Sequence, residues 1–135
     1  MARRTRAREV VLQILYTLDL NPDTSEQSIA DFLAARLDQD LQLVDFGMSI
    51  ISGVQEQREM LDQTLRELAD NWSLERMAAT DRNILRMGVF EIRYSQTPPR
   101  VVINEAVELA KRFGAKQSPQ FVNGILDRVL NADKT

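Results

Sequence analysis

Apolar residues recur every three to four positions through nearly the whole chain, and no segment keeps the strict alternation of a strand. From Thr5 to Leu20, Val11, Ile14, Leu15 and Leu18 share one helical face, and Asn21-Pro22-Asp23 ends that helix. Thr24-Ser25 followed by Gln27-Ser28 resembles a capping box. Ile29, Phe32, Leu33 and Leu37 then repeat at helical spacing. A longer pattern runs from Leu41 to Leu68, with Leu41, Val44, Met48 and Ile51 on its first face and Leu61, Leu65 and Leu68 on its second. Gly53 either kinks this helix or divides it. Asn71-Trp72-Ser73 breaks the pattern; Ser73 is a candidate N-cap for a short turn over Leu74 to Met77, and Trp72 is a candidate plug between two halves.

Thr80-Asp81 opens the next helix, with an acid in the first turn, where the macrodipole favours it. Ile84, Leu85, Gly88, Val89 and Ile92 face inward, and Gln96-Thr97-Pro98-Pro99 stops the helix. Two more helices cover about Val102–Phe113 and Pro119–Leu130. Between them, Gly114 suits a left-handed C′ residue, Ser118 an N-cap and Pro119 the first helical position. The tail 131–135 is expected to fray. The pattern thus predicts an all-α fold of six to seven helices with short connections, dividing near Trp72-Ser73 into residues 1–72 and 73–135.

Composition narrows the function classes. The 135 residues are 44% hydrophobic, enough for a packed core rather than a disordered chain. There is no Cys and no His, which excludes disulfides, thiolate or imidazole metal sites and Cys or His nucleophile–base pairs. No Gly-rich phosphate loop, serine nucleophile elbow or metal-ligand spacing is present, so neither an enzyme nor a cofactor is expected. The acid pairs Asp38/Asp40 and Glu56/Glu59 read as solvated helix faces, and Asn104-Glu105 and Asn123-Gly124 as groups fixing helix ends and contacts between helices. The apolar run from Val10 is interrupted by Gln13 and followed by Tyr16, Thr17 and Asp19, too short and polar for a signal or spanning segment. An Arg-rich amphipathic start also suits a mitochondrial presequence, but this one runs straight into a core helix.

The charge distribution is more telling than its total of −3. Arg3, Arg4, Arg6 and Arg8 stand in the first eight residues without an acid before Glu9, whereas Asp19 to Asp81 holds 14 acids against four arginines. A basic start on an acidic body favours a directed contact with a polyanion. Guanidinium groups bind phosphate bidentately and stack on bases, and an Arg-rich segment that becomes ordered on RNA is one mode of recognition. The other reading is an ordinary charged terminus. Arg100, Lys111, Arg112 and Lys116 either extend that surface or, for Lys111 and Arg112, serve the C-terminus of their helix. Phe121 is either a core residue or a platform for an unpaired base. Tyr16 is either core or part of a partner site.

Three segments resemble the NusB family of transcription antitermination factors: RRTRAREVVLQILYTLDL from Arg3, DRNILRMGVFEI from Asp81, and PPRVVINEAVELAKRFG with FVNGILD from Pro98 onward. They appear in the same order and span the chain. The resemblance implies two packed three-helix bundles and a binding function without catalysis. It implies pairing with NusE, a ribosomal protein, on boxA-type single-stranded RNA of ribosomal RNA transcripts, within an RNA polymerase antitermination complex in the bacterial cytoplasm. By that resemblance Arg3, Arg4, Arg6 and Arg8 hold phosphates, with Lys111, Lys116, Gln117 and Phe121 at the RNA edge. Tyr16 and Asp81 fall near the NusE contact. A homodimer that hides the arginines is a further possibility. Against this stand a helical protein–protein adaptor and a detached accessory module related to the NusB-like domain of RNA cytosine methyltransferases.

Overall fold

The structure, a computed structural model, describes residues 2–69 and 73–134. Among these residues it contains seven α-helices, one 3-10 turn and no strand. The helices are α1 (Ala2–Leu20), α2 (Glu26–Arg36), α3 (Leu41–Glu56), α4 (Arg58–Leu68), α5 (Ala79–Tyr94), α6 (Pro99–Phe113) and α7 (Ser118–Asp133), with the 3-10 turn at Leu74–Arg76 before α5. Trp72, the expected plug, lies outside the described residues.

Local chemistry explains the starts of α2 and α3. Ser25 caps α2 by accepting a hydrogen bond from the Ser28 N–H at 3.1 Å, and its hydroxyl meets that of Ser28 at 2.8 Å. Asp38 and Gln39 both take positive φ, and Asp40 then caps α3 by accepting from the Leu43 N–H. Asp40 is therefore a structural cap and not simply part of a solvated face. The long third pattern does divide, but at Gln57, which ends α3 and begins α4. Gly53 stays inside α3 for a steric reason: a Cβ there would lie 2.1 Å from the ring of Phe90 on α5.

Two expectations about the α6–α7 turn are corrected. Gly114 has φ −95° and ψ −172°, an extended and not a left-handed residue. Crowding is what asks for glycine: a Cβ would fall 2.6 Å from Ser118 Cβ and Oγ and 2.8 Å from the Ala110 carbonyl oxygen. Nor does Ser118 cap α7. Gln117 precedes the helix without a side-chain cap, and Ser118 Oγ turns back to accept the Ala115 N–H at 2.9 Å.

α5 is the centre of the molecule. It is buried without interruption from Asn83 to Glu91 and packs against α1, α3, α4, α6 and α7. α1 also packs on α3, α2 on α3, and α6 on α7, while α4 lies against α5 and α7. A single apolar cluster runs from Val10 and Leu15 through Ile84 and Leu85 to Leu126 and Val129. No helix among the described residues is long and apolar enough to cross a membrane.

Candidate nucleic-acid interface

The arginine-rich start is helical from Ala2 and not an arm awaiting a ligand. Cations at a helix N-terminus oppose the macrodipole, and α1 has no acid in its first turn. Tertiary contacts hold it instead. Arg3 pairs with Asp40, the cap of α3. Arg4 lies over the Phe46 ring, its guanidinium carbon 4.5 Å from the centroid, and Arg8 approaches the same ring at 5.0 Å.

Arg8 differs from its neighbours and corrects the expectation that all four arginines face RNA. It is 2% exposed. Its Nε and Nη2 donate to the two carboxylate oxygens of Glu91 on α5 at 2.8 and 2.7 Å, and Nη1 donates to Glu105 on α6 at 3.1 Å. Thr5 Oγ1 donates to the same Glu105 oxygen at 2.6 Å. Burial alone would lower the Arg8 pKa, but hydrogen bonds and charge from Glu91, then Glu105, raise it above its ordinary value. Arg8 is thus a fork that ties α1 to α5 and α6. Glu105 acts across helices, as expected of it.

Arg3, Arg4 and Arg6 are exposed. Glu9, nearly buried, joins this surface to α6: it accepts from Arg6 at 3.4 Å and from Arg112. Two exposed guanidinium groups from different helices therefore converge on one carboxylate. Lys111 is exposed and pairs with Glu108 at 3.2 Å. Arg100 is exposed and pairs with Asp127 at 2.8 Å. Lys116 and Gln117 are exposed in the turn that follows α6.

Phe121 is half-buried and packs against the core. It lines a cleft of about 450 Å³ with Asp81, Gln117, Gln120, Met77 and Arg76. Asp81 Oδ1 is buried there with no hydrogen-bond partner among the described residues. Tyr16 sits in a second groove of about 400 Å³, beside Phe32, Phe113 and Leu12. All three of its aromatic rings are exposed large hydrophobics. Thr80 lines this groove and Asp81 the first, so the two expected partner residues flank one another across the start of α5. The site is split accordingly: a cationic surface on α1 and the end of α6, and two clefts around the start of α5.

The periodicity did not reveal a second charged network. Asp19, at the end of α1, accepts from Arg58 at 2.9 Å, Arg86 at 3.1 Å, Asn83 at 2.8 Å and Arg82 at 3.4 Å. Arg86, 4% exposed, also forks onto Asp62 at 2.7 and 3.1 Å. Burial would raise the Asp19 pKa, but the Asn83 hydrogen bond and the charges of Arg86, Arg58 and Arg82 hold it below its ordinary value. Arg82, Asn83 and Arg86 of the DRNILR run therefore lock α5 to α1 and, through Arg86, to α4. The available signal was a guanidinium placed among Ile84, Leu85, Met87 and Val89 on an otherwise apolar helix. Among the described residues no group of three or more acids is arranged to hold a metal ion.

Comparison with known proteins agrees with this architecture. The NusB family model matches residues 5–131. The transcription antitermination protein NusB of Myxococcus xanthus is 44% identical over 135 residues, covering 97% of this chain and 96% of the relative. The structure of T. maritima NusB superposes with a TM-score of 0.84 at 34% identity, covering 95% of this chain and 90% of the other. A NusB in a structure of antitermination factors NusB and NusE with double-stranded RNA superposes with a TM-score of 0.80 at 22% identity, covering 98% of both chains. Matched over almost its whole length in sequence and in fold, the chain belongs to the NusB family.

Proposed function

We propose that this chain is a transcription antitermination factor. It binds boxA-type single-stranded RNA of ribosomal RNA transcripts together with NusE, within an RNA polymerase complex in the bacterial cytoplasm. The observation that carries this reading is the surface of exposed guanidinium groups, Arg3, Arg4, Arg6 and Arg112, on α1 and α6. The relatives support it, since they are named for transcription antitermination and one solved relative holds both NusE and RNA. The action is binding and not catalysis. Arginines neutralise phosphates and release counterions, while the acidic body disfavours indiscriminate contact with RNA. Lys111, Lys116 and Gln117 extend the cationic edge. The grooves at Tyr16 and Asp81 receive NusE, and the Asp81 oxygen without a partner suits a donor from a basic protein. The RNA role excludes Arg8, which is buried and whose three guanidinium nitrogens each donate inside the protein.

The test is a titration of a boxA-type single strand, its scrambled control and a duplex, with and without NusE, at several salt concentrations. The expected result is selective, NusE-enhanced binding to the single strand. Replacing Arg3, Arg4 and Arg6 by Ala should shrink the slope of log affinity against log salt by about 2, at about 0.7 per phosphate on a single strand. Binding that ignores RNA sequence, NusE and these arginines would overturn the reading in favour of a protein–protein adaptor.

A further inference from the structure

Arg4 stands apart on α1. Arg3, Arg6 and Arg8 each meet a carboxylate, but Arg4 has none within ion-pair distance among the described residues. Its guanidinium rests on Phe46 instead, at the edge of a groove of about 650 Å³ between α1, α3 and the end of α5. That volume lies within the roughly 300–1,000 Å³ of ordinary small-molecule clefts. Tyr94 lines the groove and is 48% exposed, its ring backed by Phe90 with centroids 5.5 Å apart. Gln96 and Thr97, in the segment between α5 and α6, add an amide and a hydroxyl to the same wall. The one carboxylate in the lining is Glu91, and Arg8 engages both of its oxygens. The groove therefore offers one unopposed cation, exposed aromatic surface and neutral hydrogen-bonding groups.

We propose that this groove receives a single unpaired base of the bound RNA, stacked on Tyr94, with its edge toward Gln96 and Thr97 and its phosphate on Arg4. The proposal rests on the RNA reading above and deepens it, separating base readout from phosphate neutralisation. The chemistry favours RNA over a protein segment. A guanidinium without a carboxylate partner, lying on an aromatic ring, suits phosphate and a base face. The amide and hydroxyl can donate to or accept from a base edge. Arg3 and Arg6, within two positions of Arg4 on α1, are exposed as well.

The experiment uses the full chain with NusE and a boxA-type single strand in which each nucleotide in turn is made abasic, keeping the phosphates. For the wild type, one position should lose far more affinity than the rest, roughly 5- to 150-fold, the range for loss of one base–aromatic stack. Tyr94→Ala should weaken the intact RNA by a similar factor and remove the penalty at that position alone, while Tyr94→Phe should keep it. Arg4→Ala should weaken every RNA in the series alike. If the wild type binds and responds to Arg6→Ala but Tyr94→Ala leaves the abasic profile unchanged, the groove is not a base site and the general RNA reading survives. A flat profile in the wild type has the same meaning and points to a protein segment as the occupant. If the wild type binds no RNA, both proposals fall.

Discussion

Arg4 and Arg8 stand one turn apart on α1 and share the ring of Phe46, yet their chemistry diverges. Arg8 is desolvated and held by two carboxylates, and its removal would leave Glu91 charged and unmatched inside the protein. Breaking a buried pair in this way costs about 3–5 kcal/mol. Arg8→Ala is therefore expected to lower urea-unfolding stability by about that amount. Arg8→Lys should recover little, because a single ammonium cannot reproduce the fork onto both Glu91 oxygens. Arg4→Ala should stay within about 0.5 kcal/mol of the wild type in the same measurement, as exposed substitutions usually do, and lower the salt slope of RNA binding by about 0.7. An Arg8→Ala protein of unchanged stability but weakened RNA binding would return Arg8 to the interface. The sequence spacing placed these two arginines on one side of a helix. It did not disclose their depth, because the carboxylates that bury Arg8 lie 83 and 97 residues away on α5 and α6.

The helices themselves were largely readable, since each buries an apolar stripe at regular spacing and two begin at a polar cap, Ser25 and Asp40. The α6–α7 turn shows where local rules fell short. A glycine just past a helix end usually signals a left-handed residue, but Gly114 is extended and hemmed in by Ser118 and the Ala110 carbonyl. Local sequence carries no information on how closely the next helix folds back. The two explanations separate on substitution. A left-handed position tolerates Asn better than Ala, whereas a crowded extended one penalises the larger side chain at least as much. Both Gly114→Ala and Gly114→Asn are expected to lower thermal stability by about 1–3 kcal/mol, the usual range for overpacking, with Asn no milder than Ala. A clearly milder Asn variant would restore the left-handed account. The split of the candidate site has a similar cause: Asp81 and Phe121 are 40 positions apart in the chain, and only the packing of α7 beside the start of α5 brings them into one cleft.

At the scale of the molecule, charge does part of the work of joining helices. Asp19 gathers Arg58 from α4 and Arg82, Asn83 and Arg86 from α5 onto the end of α1, and Arg86 extends the network to Asp62. Because the Asp19 pKa is held below its ordinary value of 3.8, the folded chain keeps this carboxylate ionised where the unfolded chain takes up a proton. The sign follows. The contribution is fully present above the ordinary value, declines as pH falls below it and is gone once pH passes the folded value. Asp40, paired with Arg3, shifts in the same direction, and Glu75 is lowered to about 2 by its hydrogen bond from Arg66. Stability should therefore change little between pH 7 and about pH 5 through these groups and fall steeply in more acidic solution. Asp19→Asn should cost about 3 kcal/mol at pH 7, at the lower end for a broken buried pair because Arg86 keeps Asp62, and the variant should lose less stability than the wild type on acidification. Urea unfolding of both proteins at pH 7, 4 and 3 measures this directly. Parallel acid limbs would show that Asp19 titrates alike in the folded and unfolded chains, and the network would then not be what holds α1 to α4 and α5.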